Sequence, residues 1–212
     1  MTDRNWLLDS SEVFASGPVV PVLVIENVED AVPIAEALMA GGVKVLEVTL
    51  RTPAAIDVIR EIAQNCPDAI VGAGTVTNAQ QLKQVTDAGA KFAISPGLTP
   101  ELLEAGNKGS IALIPGIASI SELMIGLDKG YSHFKFFPAE ASGGVQSLKS
   151  IGGPFPDVRF CPTGGINLTN YKDYLALNNV MCCGGSWLCP DAAIKEKRWT
   201  DITELAKQAV SI

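Results

Sequence analysis

Gly41-Gly42-Val43-Lys44-Val45-Leu46-Glu47-Val48-Thr49-Leu50-Arg51-Thr52-Pro53 carries one complete period of this chain. The glycine pair fits the close of a helix, since glycine takes the left-handed conformation that helix C-caps favour. The apolar run from Val45 to Arg51 reads as a strand. Pro53 then stands at a favoured first-turn position of a second helix. That helix is expected over residues 54–62, where Ala55, Ile56, Ile59 and Ile62 recur at helical spacing.

The same unit repeats along the chain. Eight apolar, β-rich segments begin near Val19, Lys44, Ala69, Phe92, Ala112, His133, Arg159 and Val180. Each interval fits one strand, one helix and two short loops. Residues 29–39 carry Ala31, Ile34, Ala35 and Leu38 on one helical face, and residues 121–127 and 171–177 repeat the pattern. Gly89 and Gly130 fit helix closures before the next strands. Eight such periods predict an α/β fold, a (β/α)8 TIM barrel at the compact end of its size range. No Ser/Pro/Gly-rich linker divides the chain, so residues 1–212 are expected to form a single domain. A short amphipathic helix over residues 7–15 would close the barrel bottom. The competing architecture is an open doubly wound sheet, which calls for a G-x-G-x-x-G turn after the first strand. That place holds Glu26-Asn27-Val28-Glu29, which has no glycine.

Composition narrows the function classes. The formal charge is −7 and no basic block occurs, which argues against nucleic-acid partners. A local anion site remains compatible with an acidic protein. The start of the chain lacks the apolar core of a signal peptide. No apolar run approaches the ~18 residues that span a bilayer. A soluble, cytoplasmic protein with no membrane partner is therefore expected. The five cysteines are Cys66, Cys161, Cys182, Cys183 and Cys189. They show no C-x-x-C spacing and read as reduced thiols. A single histidine argues against structural zinc, so no metal is expected.

The unusual polar residues lie inside apolar strands. Lys135 stands in His133-Phe134-Lys135-Phe136-Phe137-Pro138-Ala139-Glu140. Burial in such a run favours the neutral amine, which attacks ketones to form Schiff bases. The alternative is a lysine that reaches the strand end or pairs with Glu140. Glu47 is isolated among apolar neighbours, and alternation puts it on the face of Val45, Thr49 and Arg51. It is a candidate acid-base group, although a purely structural ion pair with Arg51 fits the same pattern. Barrel enzymes gather catalytic groups at the C-terminal ends of their strands. There Thr75 supplies a hydroxyl after Gly72-Ala73-Gly74, whose glycines let a ligand or a neighbouring strand approach closely. Pro96 offers a rigid apolar wall. Pro115-Gly116 reads as turn chemistry. Gly164-Gly165 and Gly184-Gly185-Ser186 follow the last two strands, where many barrels bind phosphate through backbone N–H groups.

Taken together, Glu47-Val48-Thr49-Leu50-Arg51, Gly72-Ala73-Gly74-Thr75, Phe134-Lys135-Phe136-Phe137-Pro138-Ala139-Glu140, Pro162-Thr163-Gly164-Gly165-Ile166 and Gly184-Gly185-Ser186-Trp187 resemble the motifs of the 2-keto-3-deoxy-6-phosphogluconate (KDPG) aldolases. These are class I aldolases of the Entner–Doudoroff pathway. The resemblance runs from about Gly17 to Trp187, with five motifs in order on five expected strands. It implies roles by position. Lys135 would form the Schiff base with Glu47 as general acid-base group. Arg51 and Thr75 would hold the substrate carboxylate, and Pro96 and Phe137 would line the pocket. Gly164, Gly165, Gly185 and Ser186 would receive the phosphate, with Thr163 close by. It also implies a homotrimer, small-molecule substrates including 4-hydroxy-2-oxoglutarate, and no cofactor, since the iminium is its own electron sink. Two other readings stay open: an aldolase for the galactonate-derived epimer, and a sugar-phosphate isomerase or epimerase barrel that uses Glu47 without a covalent lysine. A non-catalytic sugar-phosphate binder also fits the fold.

Overall fold

The computed structural model describes residues 4–211. Its strands are β1 Val19–Leu23, β2 Val45–Thr49, β3 Ile70–Gly74, β4 Phe92–Ile94, β5 Ala112–Ile114, β6 Gly116–Ile117, β7 His133–Phe136, β8 Arg159–Pro162 and β9 Cys183–Gly185. Its helices are α1 Ser10–Ala15, α2 Ala31–Ala40, α3 Ala55–Asn65, α4 Ala79–Asp87, α5 Pro100–Lys108, α6 Ile120–Asp128, α7 Gly144–Ile151, α8 Tyr171–Leu175, α9 Asp191–Lys195 and α10 Trp199–Val210. Strands and helices alternate, and every strand pairing is parallel. The result is an α/β fold built on a curled parallel sheet of six strands, ordered β5-β4-β3-β2-β1-β9. A second sheet holds β6-β7-β8. Parallel bridges join Phe160 to Val180 and Thr163 to Gly184.

Local chemistry explains the punctuation. Gly42 has φ +91° after α2, as the glycine-closed helix requires, and Gly89 and Gly130 do the same after α4 and α6. Asp9 and Glu12 form a capping box at α1, and Ser119 and Glu122 form another at α6. Thr99 caps α5 ahead of Pro100.

Two apolar layers result. Val20, Val45, Phe92, Ile94, Ala112, Ile114, Cys161 and Cys182 pack together on the inner face of the strands. Val13 and Phe14 of α1 join this cluster, so the N-terminal helix packs on the inner layer, although it begins at Ser10 rather than at residue 7. The opposite face packs on the helices. There Gly41 lies so close to α10 that a Cβ would stand 2.3 Å from Ala206 Cβ. Thr203 Oγ1 of α10 donates to Ala37 O of α2 at 2.9 Å. Among the described residues, no helix is long and apolar enough to cross a membrane.

Two local expectations change. Pro115-Gly116 is not a turn. The chain stays extended through it and switches partners, with β5 on β4 and β6 on β7. Lys135 N–H donates to Pro115 O at 3.0 Å. A Cβ on Gly116 would stand 2.4 Å from the Pro96 carbonyl, so glycine is required by close packing on the preceding strand. The last strand begins at Cys183 rather than near Val180, because Val180 meets β8 only through its isolated bridge to Phe160.

Candidate active site

Glu47 is the third residue of β2 and Lys135 the third of β7. Both side chains point into the inner layer, where Lys135 is 4% exposed and Glu47 1%. Lys135 Nζ donates to Glu47 Oε1 at 3.0 Å. The Phe137 ring lies over the amine, its centroid 5.4 Å from Nζ. Glu140, the alternative partner, is exposed and accepts from Tyr174 Oη instead.

The carboxylate has room because β3 is bare beside it. A Cβ at Gly74 would stand 2.2 Å from Glu47 Oε1, and one at Gly72 would strike the Phe92 ring. These two glycines therefore admit neighbouring side chains rather than a ligand. Thr49 shares the face of Glu47, but its hydroxyl is committed to Leu23 O at 2.8 Å. Arg51 lies beyond the end of β2 in an exposed turn, and among the described residues it forms no ion pair. This separates it from Glu47 and leaves its planar guanidinium for an anion.

A cavity of about 470 Å³ opens on Phe137, the residue whose ring lies over the Lys135 amine. Arg51, Thr75, Pro96 and Phe137 line one part of it. Thr163, Gly164, Gly165, Gly185 and Ser186 line the other. Lys135 and Glu47 do not line it; they are joined to it through Phe137, whose ring lies over the Lys135 amine, and Val22, the strand partner of Glu47. The lining comes from the C-terminal ends of β1, β2, β3, β4, β7, β8 and β9. Gly184, part of the Gly-Gly turn read from the sequence, lines it too, as do Val22 and Ile166, to which the sequence reading assigned no role. Val22 carried a signal, since it alternates inward with Val20 on β1.

Two features mark this cavity as a working site. Thr75 has φ +62°, a left-handed conformation that is a true outlier for a β-branched residue. Such strain costs on the order of 1–3 kcal/mol and concentrates at functional sites. Thr163 is buried, and its Oγ1 has no hydrogen-bond partner among the described residues. That hydroxyl lies over Gly184, where a Cβ would stand 2.1 Å away.

The other end of the cavity is mostly backbone. Gly164 and Gly165 have φ +103° and +78°. Among the described residues, the N–H groups of Gly165 and Ser186 donate to no protein acceptor. Gly185 is bare for another reason, because the Trp187 ring covers it. Among the described residues, no three His, Cys, Asp or Glu side chains gather as a metal would require. The arrangement thus offers a buried amine beside a carboxylate under Phe137, a guanidinium at one end of the cavity and unpaired backbone donors at the other. Such a site suits a keto acid with a second anionic end.

Known proteins share this sequence and fold. The chain is 69% identical over 208 residues to 2-dehydro-3-deoxy-phosphogluconate aldolase of Pseudoalteromonas atlantica, covering 98% of this chain and 97% of that one. It superposes with TM-score 0.93 at 59% identity on KDPG aldolase of Legionella pneumophila, a structure with pyruvate captured as a covalent carbinolamine intermediate. That match covers 94% of this chain and 97% of the other. KDPG aldolase of Zymomonas mobilis ZM4, solved with 3-phosphoglycerate, matches with TM-score 0.89 at 49% identity over 95% and 94% of the two chains. The family described as KDPG and KHG aldolase matches residues 11–205, and the chain belongs to it.

Proposed function

We propose that this protein is a class I aldolase that cleaves 2-dehydro-3-deoxy-6-phosphogluconate to pyruvate and glyceraldehyde 3-phosphate, and 4-hydroxy-2-oxoglutarate to pyruvate and glyoxylate. The observation that carries the reading is the buried Lys135–Glu47 contact under Phe137, a residue that lines a cavity with a guanidinium at one end and backbone N–H donors at the other.

The chemistry follows from the residues. Imine formation needs an unprotonated amine, and Glu47 is placed to take the ammonium proton. Lys135 Nζ attacks the C2 ketone to give a carbinolamine, and loss of water leaves a protonated imine. Glu47, directly or through water, removes the C4 hydroxyl proton. The C3–C4 bond breaks, its electrons pass into the iminium as an enamine, and the aldehyde leaves. The same carboxylate returns a proton to C3, and hydrolysis frees pyruvate and Lys135. Arg51 and Thr75 hold the carboxylate, with Pro96 and Phe137 as apolar walls. Thr163, Gly164, Gly165, Gly185 and Ser186 receive the phosphate. No step calls for a cofactor.

The proposal includes closure of the two sheets into one eight-stranded barrel in a single domain. Its support is that Pro115 alone separates β5 from β6, and that two bridges tie β8 to the chain at β9. It also includes a cytoplasmic homotrimer acting in the Entner–Doudoroff route. Ile120, Met124 and Ile125 leave apolar surface exposed on α6 that a subunit contact would cover. Incubation with pyruvate and borohydride, followed by peptide mapping, should find the reduced adduct on Lys135. Lys135→Arg, which keeps the charge but forms no imine, should abolish cleavage in a folded protein. An adduct elsewhere, or none, would overturn the assignment and leave the non-covalent isomerase or epimerase reading.

A further inference from the structure

Glu140 is a carboxylate placed beside a turn assigned to phosphate, where its charge would repel the ligand. Its backbone and side chain nonetheless shape that turn. Glu140 N–H donates to Gly164 O at 3.1 Å, and Ala139 N–H donates to Thr163 O at 2.8 Å. The Glu140 stem lies flat against Gly165, where a Cβ would stand 2.5 Å from Glu140 Cγ. From the other side, Asn170 Nδ2 donates to Gly165 O at 3.1 Å.

The charged end of Glu140 is held elsewhere. It accepts a hydrogen bond from Tyr174 Oη, whose side chain is fully buried in α8. Gly144 makes room for the pair. A Cβ there would stand 3.1 Å from Tyr174 Oη and 3.4 Å from Glu140 Oε1. Glu140 is not among the residues lining the cavity, whereas Gly164 and Gly165 are. Burial and the bond to Glu140 both push the Tyr174 phenol well above its usual range, so it remains a donor.

We infer that Glu140 and Tyr174 form a brace that sets the Gly164–Gly165 turn and keeps the carboxylate out of the phosphate position. They are positioning residues that favour phosphorylated over unphosphorylated substrates. The inference rests on the aldolase reading above and adds residues to it. The stem of Glu140 packs the turn, and the hydroxyl of Tyr174 holds the charge on the α8 side. Without that hydroxyl, the carboxylate is free to rotate over the exposed turn and oppose the incoming dianion.

The test compares two substrates in two variants. Tyr174→Phe keeps the ring and removes only the donor. It should raise KM for the phosphorylated six-carbon substrate about tenfold, the scale of one lost hydrogen bond to a charged group. It should leave kcat/KM for 4-hydroxy-2-oxoglutarate within about twofold of the wild type, since that substrate has no phosphate. Adding Glu140→Gln to Tyr174→Phe removes the repelling charge and should recover most of the loss, which a packing defect would not do. Equal changes on both substrates, or no recovery in the double variant, would overturn the brace. Pyruvate trapping by borohydride in the wild type separates the two failures. If the wild type traps pyruvate and cleaves both substrates, a flat substrate ratio in Tyr174→Phe sinks the brace alone. If the wild type does neither, both readings fall.

Discussion

Lys135 and Glu47 are 88 positions apart in the chain, and Lys135 Nζ lies 3.0 Å from Glu47 Oε1. The contact crosses from β7 to β2, strands that belong to different sheets. An ion pair this deep is weak evidence for stability, because desolvating both charges offsets their attraction. In the proposed mechanism its worth lies in placing a proton acceptor against a nucleophile. The space for it comes from Gly74, the bare position beside the carboxylate.

Glu47→Gln tests that role. The amide keeps the shape and an acceptor oxygen but cannot take a proton. Turnover should fall by roughly 10²–10⁴, the usual contribution of a positioned proton-transfer group. Borohydride trapping with pyruvate should persist at a measurable rate. Wild-type turnover in this variant would assign the proton transfers to another group.

The thiols should be inert in the folded protein. Burial pushes Cys182 well above the usual thiol range, with contact to Cys161 adding to it. Burial also raises Cys183, and raises Cys189 to about 12. A thiol held protonated is a poor nucleophile. Iodoacetamide at neutral pH should leave these three unmodified until the protein is denatured. Rapid labelling of Cys182 in the native state would contradict its buried, protonated condition.

His133 should make the fold acid-sensitive. Burial lowers its pKa from 6.5, partly opposed by Asp9 and reinforced by Arg159. The Phe14 ring packs edge-on at 5.5 Å, and Ser132 Oγ lies 3.0 Å from Nδ1. The unfolded chain therefore binds the proton more readily than the folded one. Stability from this residue is complete above about 6.5 and declines as pH falls toward the lowered folded value. Between about pH 8 and pH 5, wild-type Tm should fall more than that of His133→Gln. Parallel melting profiles would show that His133 carries no pH-linked stability.

Much of this was legible in the sequence. The strands expected near Val19, Lys44, Ala69, Phe92, Ala112, His133 and Arg159 begin within one residue of those positions. Apolar, β-rich segments bounded by glycine are a local signal, and local signals survive folding. The cavity residues were legible for a related reason, since strand ends are visible as the polar close of apolar runs. What stayed hidden depends on register between strands. Gly72 and Gly74 fit a ligand or a neighbouring strand alike until Phe92 and Glu47, from the neighbouring strands, are seen to fill them. Pro115-Gly116 carries turn residues, yet Gly116 is demanded by the Pro96 carbonyl of a neighbouring strand. The Tyr174 contact with Glu140 spans 34 positions and has no motif.

The substrate's two anionic ends should separate by mutation. Ser186 is exposed at the proposed phosphate end, and its N–H donates to no protein acceptor among the described residues. Ser186→Asp adds a negative charge there without entering a packed space. It should impair cleavage of the phosphorylated substrate far more than cleavage of 4-hydroxy-2-oxoglutarate. Gly165 is a less clean probe, because any side chain there strikes Glu140 and moves the turn itself. At the other end, Arg51→Ala removes an exposed guanidinium and should impair both substrates, since both carry the 2-keto carboxylate. A charge-assisted hydrogen bond is worth about 1.5–3 kcal/mol, so the loss should be roughly ten- to a hundredfold in kcat/KM. Measuring both substrates in both variants, after confirming unchanged melting, gives a two-by-two pattern. A selective loss in Ser186→Asp with a common loss in Arg51→Ala fits the assignment. Equal losses on both substrates in Ser186→Asp would remove the phosphate from that turn and leave Gly184-Gly185-Ser186 with a purely structural role under Thr163 and Trp187.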